Sequence, residues 1–493
     1  MINFRSKALR GTVIAAAAMF AGCAMGPDFV RPEPPSADRY TRVALPAATV
    51  PADGTAQQFT ADADLGADWW RLFKSAQLDE IVAQAIANNR TVQASEATLR
   101  QSQDNLRAGY GVFFPRIDGE AAASRQRTAP LQEGLKTSST IFNLVTLSGT
   151  ISYPLDVFGG ERRAVEGLRA QAYEQYYATK AAYLTLSANV VDASIARAAY
   201  AAEIRATEQL IDLEMQQVQL AQAQVSAGTA PFSSVLSFRS LIATNKALLA
   251  PLRQKVDQAD DLLSTLRGVV PSKAAPAEVD LAGLTLPVLL PVSLPSDLVR
   301  QRPDILSAEE FLHAASANIG VATAAMFPSF SLSATYGASG TSLGSLPAAS
   351  GRFWSIGPSA TVPIFQGGGL WYARKAAIDA FDAAQAGYRQ TVLAAFEQVA
   401  DSLTALEHDA EALQAQVDAK QSAEESLSML QANYRAGLVA YSDVLTADVQ
   451  LHETTIGYLQ AVAQRHQDTV ALFVSLGGGW WNVRRPPPES MAQ

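Results

Sequence analysis

The residue types that most often carry chemistry in proteins are sparse and scattered in this chain. Its one cysteine, Cys23, leaves neither an intrachain disulfide nor a thiolate-rich metal site available. The histidines are His313, His408, His452 and His466, and the sequence contains no HExxH, CxxC, GxxxxGKS/T or GxSxG motif. We therefore predict no catalytic residue, no bound metal and no cofactor, and we expect that the protein is not an enzyme.

Two carboxylates and two histidines still need an interpretation. Asp304 and Glu309 are of the type that glycosidases use as paired acids, but they follow Pro303, and acidic side chains favour the first turn of a helix. We interpret both carboxylates as part of a helix start. His452 and His466 are 14 residues apart, which is about 21 Å along a helix. They cannot share one metal ion, and we interpret them as packed side chains.

The composition excludes one large class of function. Across 493 residues, 38 Lys and Arg oppose 47 Asp and Glu, which gives a net charge of −9. Because phosphate backbones are bound by clustered Lys and Arg, we expect no binding of nucleic acid. Charged residues make up only 17% of the chain, against about 25% in soluble domains. Part of the surface is therefore expected to face lipid or neighbouring subunits.

Residues 1–22 have the pattern of a secretory signal peptide. Three basic residues precede the short apolar run Gly11–Phe20, and Cys23 follows it closely. The run is shorter than the roughly 20 apolar residues that span a bilayer. Phe20-Ala-Gly-Cys23 resembles a bacterial lipobox, so we predict that Cys23 becomes the lipidated first residue of an extended, Pro-rich linker over 23–68. The alternative is an ordinary signal peptide with a chance cysteine.

The chain contains two copies of one long unit. Four landmarks recur in the same order at offsets between 207 and 213: Phe114-Pro115 as Phe327-Pro328, Tyr153-Pro154 as Val362-Pro363, Phe158-Gly159-Gly160 as Phe365-Gln-Gly367-Gly368, and Ser226-Ala-Gly228 as Arg435-Ala-Gly437. Order and spacing hold along the whole of each copy, so the duplication is architectural. We place the first repeat at 69–270, a linker at 271–293, the second repeat at 294–480 and a tail at 481–493.

Each copy has the same predicted order of elements: helix, two strands, very long helix, turn, helix. In the first copy a helical period covers 76–108, and 161–227 contains no proline and is rich in Ala, Gln and Leu. In the second copy helices are expected over 297–326 and 441–476. The apolar positions from Leu445 to Phe473 step by four and three, which is typical of a coiled coil. Each long helix can therefore lie beside two shorter ones stacked end to end.

The strands are expected in two β-hairpins, at 113–156 and 328–363. Within 145–153 and 330–336, apolar residues alternate with Ser and Thr. This alternation is typical of transmembrane barrel strands, although a half-buried strand of a soluble sheet has the same pattern. The fourth strand, 353–362, contains Pro358, which removes a ladder donor. Four strands cannot enclose a lumen, but three chains would supply twelve.

Several strings of residues together resemble outer-membrane efflux proteins of the TolC and OprM type, in their NodT-like lipoprotein branch, over about residues 23–480. These strings are Cys23-Ala-Met-Gly-Pro-Asp-Phe-Val-Arg-Pro32, Asp68-Trp-Trp-Arg-Leu-Phe73, Leu294-Pro-Ser-Asp-Leu-Val-Arg-Gln-Arg-Pro-Asp-Ile305, Phe327-Pro-Ser-Phe-Ser-Leu332 and Tyr434-Arg-Ala-Gly437 followed by Asp443-Val-Leu445. The resemblance implies a mainly α fold with a membrane β-barrel part. It also implies a homotrimer with a twelve-stranded transmembrane β-barrel, which is continued by a periplasmic α-helical coiled-coil barrel and is built from two tandem structural repeats per chain.

The resemblance also implies a function and partners. A protein of this family lies in the outer membrane, in contact with its lipid, and passively conducts drugs or other small solutes to the exterior. An inner-membrane pump, here expected to be of the RND type, and a periplasmic adaptor (membrane fusion) protein deliver them. Two alternatives stay open: a type I secretion channel for proteins, and a periplasmic coiled-coil lipoprotein scaffold without a pore.

The turns after the long helices are the candidate site. Glycine tolerates a positive φ, so Gly228 and Gly437 suit the residue that follows a helix end. Ser233 and Ser234, like Ser442 and Asp443, can then cap the next helix. By themselves these features describe the tips of two helical hairpins.

The resemblance implies that these tips close the tunnel. In the family a ring of aspartates at the position of Asp443 narrows the aperture and interacts with cations, and Tyr434 matches an aromatic partner in the closing network. The first copy has Ser234 in place of a second aspartate, so one ring of three acids is expected. Val439 stands where the family can carry a basic residue. The implied aperture residues are Asp443, Tyr434, Gly437, Ser234 and Gly228.

Overall fold

The computed structural model describes residues 24–60, 65–127, 139–293 and 295–482. These residues fall into two compact units. The first unit contains the described residues up to Pro32 and those of Leu99–Gln175 and Ala308–Tyr388. The second contains those of Glu33–Thr98 and Tyr176–Ser307 and those from Arg389 onwards. Each unit draws residues from both sequence repeats, so neither repeat is a separate compact body.

The helices repeat in length as well as in order. They are α1 (Ala76–Asn88), α2 (Arg90–Gly109), α3 (Gly160–Ser226), α4 (Phe232–Leu266), α5 (Pro295–Gln301), α6 (Pro303–Ala324), α7 (Gly369–Arg435) and α8 (Tyr441–Ser475). The long helices α3 and α7 have 67 residues each, and α4 and α8 have 35 each. Among the described residues, no helix has both the length and the apolar character to cross a bilayer.

The prediction of one helix over 76–108 was wrong at Asn89. This residue has extended backbone angles (φ −64°, ψ 128°) and separates α1 from α2. Its side-chain oxygen accepts hydrogen bonds from the N–H groups of Thr91 and Val92, at 2.9 and 3.1 Å, and so caps α2. Its amide nitrogen donates to the carbonyl of Leu266 at 2.9 Å. The helical period of apolar residues continues across Asn89, so the sequence pattern gave no sign of the break.

The second repeat breaks at the matching place. The helix expected over 297–326 stops at Arg302, which lies 213 residues after Asn89, and restarts at Pro303. A proline disfavours helical angles in the residue before it. The guanidinium of Arg302 pairs with the Asp304 carboxylate at 2.6 Å, so the interpretation of Asp304 as part of a helix start is confirmed.

The strands form two separate sheets. They are β1 (Gln58–Thr60), β2 (Arg116–Arg127), β3 (Ile141–Leu155), β4 (Leu289–Pro291), β5 (Ser329–Gly340) and β6 (Arg352–Thr361). β1 and β4 pair in parallel in the second unit, whereas the first unit holds an antiparallel sheet in the order β2-β3-β5-β6. The strand predicted around Pro358 is therefore confirmed. Pro358 lies opposite Leu332 in β6, which is an edge strand of this sheet.

The register of the four-stranded sheet separates apolar from hydroxylated side chains. Directly opposed residues of antiparallel strands share a face, and β3, β5 and β6 align Ile151, Ala334 and Ile356. The adjacent row carries hydroxyls, with the side-chain oxygens of Thr150 and Thr335 at 3.2 Å. The sheet therefore has one apolar face, which carries Leu147, Ile151, Phe330 and Leu332, and one polar face, which carries Thr150, Ser331 and Ser333.

The core of the second unit is built around the Trp69–Phe73 turn. Trp69 and Phe73 are buried, and the Trp69 ring lies 5.8 Å from the ring of Phe473 in α8. Phe73 contacts His466 at 5.7 Å between ring centroids. Burial lowers the pKa of His466 to about 4, so this imidazole is neutral at physiological pH. The interpretation of His466 as a packed side chain is confirmed.

An arginine introduced into the four-stranded sheet should cost a different amount of free energy on each of its two faces. We expect the apolar face to lie against lipid, so Leu332→Arg should cost roughly 2–4 kcal/mol near the bilayer midplane. Ser333→Arg, one residue away on the polar face, should cost much less. Unheated membrane extracts run on SDS gels would measure the yield of folded oligomer for each variant. Equal yields would contradict the orientation.

Candidate functional site

The long helices end in two matching glycine turns. Gly228 and Gly437 have φ values of +73° and +74°, as expected for the residue after a helix. The residue after each glycine closes the helix end with a backbone hydrogen bond. The N–H of Thr229 donates to the carbonyl of Gln224 at 2.9 Å, and the N–H of Leu438 donates to the carbonyl of Asn433 at 2.9 Å. No described atom lies within 4 Å of a Cβ added to either glycine. The positive φ, and not a lack of space, therefore requires glycine here.

The starts of the following helices differ between the repeats. In the first, Pro231 occupies the N-cap of α4, and within the described part of the chain no side chain caps that helix. The capping role predicted for Ser233 and Ser234 was therefore wrong, because α4 begins at Phe232 and both serines lie inside its first turn. The same role predicted for Ser442 was wrong for the same reason, because α8 begins at Tyr441. In the second, the Asp443 carboxylate accepts from the N–H of Ala440 at 3.1 Å. Asp443 is otherwise exposed to solvent.

Tyr434 joins the ends of the two long helices. Its phenol oxygen lies 3.1 Å from Nε2 and 3.2 Å from Oε1 of the Gln224 side chain, so α7 and α3 are linked by a hydrogen bond. Its ring meets that of Tyr441 edge-on at 5.0 Å, and Tyr441 in turn packs on Phe238 at 4.6 Å. The tip of the second repeat is thus attached to the tip of the first by one polar contact and a row of rings.

A cavity of about 440 Å³ lies between the two tips. Ser234 and Tyr434 both line it, together with Gln224, Phe238 and Tyr441. The structure therefore brings two of the predicted site residues together around one space. Gly228, Gly437 and Asp443 belong to the same tips but lie outside this lining.

Two residues of this site were missed in the sequence. Tyr441 stands 209 residues after Phe232, and an aromatic residue at the same place in both repeats was a usable signal. Gln224 gave no signal, because it is one of several glutamines in a helix rich in them. Only the contact between the repeats identifies it.

The helices next to the tip carry one buried carboxyl group, Glu214, and one half-buried carboxyl group, Asp448. Glu214 accepts a hydrogen bond from the amide of Asn245 at 2.7 Å through Oε1, while Oε2 has no partner among the described residues. Burial raises the pKa of Glu214 to about 7, and repulsion from Asp448 adds to the effect. Burial also raises the pKa of Asp448 to about 6. Burial raises the pKa of Tyr441, and repulsion from Asp448, Tyr434 and Glu214 adds to the effect.

The predicted lipidation site, Cys23, lies outside the described residues. The residues that follow it are held on the first unit by specific contacts. The N–H of Met25 donates to the carbonyl of Phe158 at 3.0 Å. The guanidinium of Arg31 lies 2.5 Å from the buried carboxylate of Glu309. The interpretation of Glu309 as part of a helix start was wrong, because Glu309 is the seventh residue of α6 and lies beyond its first turn. Its carboxylate instead holds the N-terminal segment.

The raised pKa of Glu214 predicts a pH dependence of stability. Between its ordinary value of 4.5 and about 7 the folded protein holds a proton that the unfolded chain has released, so stability should fall as pH rises through this range. Melting temperatures at pH 5 and pH 8 would show the difference. Glu214→Gln should reduce it. Glu208→Gln, which removes an exposed acid of the same helix paired with Arg253 at 2.8 Å, should leave it unchanged.

Comparison with known proteins identifies the family. The family model for outer membrane efflux proteins matches residues 81–269 and 294–478. The chain is 29% identical over 473 residues to the toluene efflux pump outer membrane protein TtgC of Pseudomonas putida, with 93% of each chain covered. It is 27% identical over 463 residues to the cation efflux system protein CusC of Escherichia coli, with 93% of this chain and 96% of CusC covered.

The fold agrees with this assignment. The solved structure of the outer-membrane channel OprN matches with a TM-score of 0.83 and 26% identity, and the match covers 93% of this chain and 100% of that one. The fold class predicted from the sequence, a helical barrel continued by a β-barrel, is the class of these channels and is confirmed. The chain is a member of the outer membrane efflux protein family, and its place is the outer membrane.

Proposed function

We propose that the protein is the exit duct of a three-part efflux system. In this proposal it passively conducts drugs or other small solutes from an inner-membrane pump of the RND type, through a periplasmic adaptor protein, to the exterior. The observation that carries the proposal is the four-stranded sheet, which has one apolar face, one polar face and unpaired edges at β2 and β6. The relatives support a passive role, because their names specify solutes as different as toluene and cations. One kind of channel lining would not select both solutes, so the choice of solute is made outside the duct.

The two free edges of the sheet support a trimer. An exposed edge leaves backbone N–H and C=O groups unpaired, which is not tolerated against lipid. If β6 of one copy pairs with β2 of the next, three copies close a twelve-stranded barrel. The serine and threonine hydroxyls then line the lumen, and the leucines and isoleucines of the opposite face contact lipid.

The helical tips support a gate. They combine a hydrogen bond between Tyr434 and Gln224, a short row of aromatic rings and an exposed acid at Asp443. In the proposed trimer three copies of Asp443 surround the axis, and the tips narrow the tunnel until the adaptor and the pump separate them. Gly228 and Gly437 allow the tight turns, and Ser234 takes the place of an acid in the first repeat.

A conductance measurement separates the duct from a scaffold without a pore. Purified protein should run as an SDS-resistant trimer without heating and should insert into planar bilayers to give discrete, small conductance steps. A scaffold would give neither result. A strain that lacks the protein should then gain drug sensitivity and still secrete its proteins normally. Loss of a secreted protein with unchanged drug sensitivity would instead indicate the type I secretion alternative.

The acidic ring predicts how cations act on the channel. Three carboxylates at close range attract multivalent cations, so Asp443→Ala should weaken block by such cations in planar bilayers. Ser234→Asp should add a second set of acids and strengthen it. If Asp443 acts only as a cap, the alanine variant would lose about 1 kcal/mol of helix stability and keep its cation block. Unchanged block in both variants would place the constriction elsewhere.

Lipidation predicts a specific labelling result. Cells fed labelled palmitate should label the wild-type protein, whereas Cys23→Ser should remove the label and leave the signal peptide uncleaved by the lipoprotein peptidase. Because one attached group binds a membrane less firmly than an inserted barrel, the variant should still fractionate with the outer membrane. An unlabelled wild-type protein would contradict the anchor.

A further inference from the structure

Two apolar clusters lie at the helical tips, one in each repeat. The first contains Ala221, Val235 and Phe238, and Tyr441 and Leu445 of α8 pack against it. The second contains Leu427, Val444 and Ala447, and its half-buried neighbours include Leu430 and Tyr434. The first cluster thus combines residues from both repeats of the chain.

The repeat relates the two clusters residue by residue. At the offset of 209, Ala221 corresponds to Leu430, Val235 to Val444 and Phe238 to Ala447. The side chains that complete the first cluster also have counterparts, because Tyr441 corresponds to Phe232 and Leu445 to Leu236. Neither Phe232 nor Leu236 is among the residues packed against the second cluster within this chain.

Phe232 and Leu236 are instead exposed on α4. Their side chains are 56% and 53% accessible, whereas Val235 and Phe238 on the same helix are 0% and 2% accessible. Residues four apart share one face of a helix, so Phe232 and Leu236 form an apolar strip beside the buried face. A strip of two residues is too small to mark an interface by its area alone, but the repeat indicates one. Its repeat equivalent, Tyr441 and Leu445, already forms an interface with the other repeat.

We infer that Phe232 and Leu236 of a second copy of this chain pack on the second cluster. The contact between copies then repeats the contact between the repeats of one chain, with Phe232 of the neighbour against Ala447 as Tyr441 lies against Phe238. This inference rests on the proposed trimer, to which it assigns the residues of the subunit contact at the gate. The occupant is a second copy because the repeat itself supplies the template for the contact.

The contact between the two repeats of one chain and the inferred contact between copies differ in one hydrogen bond. Within a chain, Tyr434 and Gln224 form a hydrogen bond, but their repeat counterparts are Val225 and Asn433. A valine cannot replace the phenol, so the contact between copies has no equivalent phenol–amide bond. The contact between copies therefore lacks one polar link that the two tips of one chain possess.

The first unit contains an independent instance of the same relation. After β3, the Phe158 ring stacks on Phe327 of the second repeat at 4.8 Å. In the repeat, Phe365 corresponds to Phe158, and Phe114 corresponds to Phe327. Within one chain the side chains of Phe365 and Phe114 are 89% and 67% accessible. The template therefore places Phe365 of one copy on Phe114 of the next.

Cysteine cross-linking tests the contact at the tip. The full-length protein with Phe232→Cys and Ala447→Cys should form covalent trimers in membranes under mild oxidation, stable to boiling in SDS and reversed by reductant. The pair Phe232→Cys and Thr446→Cys is the matched control, because Thr446 adjoins Ala447 but is exposed, and it should not form covalent trimers. Phe238→Cys with Tyr441→Cys should link within one chain only. The wild-type protein controls for Cys23.

The outcomes separate this inference from the proposed function. Unheated samples report the trimer before any cross-link is considered, and Leu236→Cys with Leu430→Cys serves as a second pair if the first variant fails to assemble. SDS-resistant trimers that do not cross-link through either pair, or that cross-link equally through the control pair, would overturn the inference and leave the duct intact. Failure of the wild-type protein to form a trimer would overturn the proposed function itself.

Discussion

The unpaired backbone edges of the four-stranded sheet constrain the rest of the molecule. Within the described part of the chain, β2 and β6 each have one neighbouring strand. A strand against lipid cannot leave its outer N–H and C=O groups without partners. The chain can satisfy them only by joining copies of itself. The tandem repeat makes this joining simple, because β3 and β5 already form inside one chain the kind of junction that β6 and β2 need between chains.

Much of this fold was predictable from the sequence, and the exceptions have a common cause. Length without proline predicts α3 and α7, and alternation of apolar and hydroxylated residues predicts β3 and β5, because both patterns are local. The break at Asn89 was missed, since the apolar period runs through it, whereas Pro303 already indicated a helix start after Arg302. What stops the helix at Asn89 is a side chain that caps α2 and also bonds to Leu266, 177 residues away.

The candidate site also contains residues that local sequence predicts and contacts that it does not predict. Gly228 and Gly437 were predictable because a positive φ is a property of one residue and its turn. The bond from Tyr434 to Gln224 spans 210 residues of sequence, and nothing in either helix alone determines which glutamine receives the phenol. The repeat partly overcomes this limit. A contact seen once between the repeats indicates its counterpart between copies, and it also shows, through Val225 and Asn433, where the two differ.

The proposed gate must be stable enough to close and weak enough to open, and the groups at the tip are compatible with both needs. The rings of Tyr434, Tyr441 and Phe238 hold the tips by contact area, whereas the polar link is a single neutral hydrogen bond, worth about 1 kcal/mol. On the helices next to the tip, Glu214 is buried and Asp448 is half-buried, and neither forms a salt bridge with a described residue. Their raised pKa values mean that ionising them in the folded protein costs stability. Elsewhere in the second unit a buried arginine, Arg465, makes hydrogen bonds to several groups. This network of hydrogen bonds around Arg465 lies outside the tips, which are the parts that move in the proposed gate.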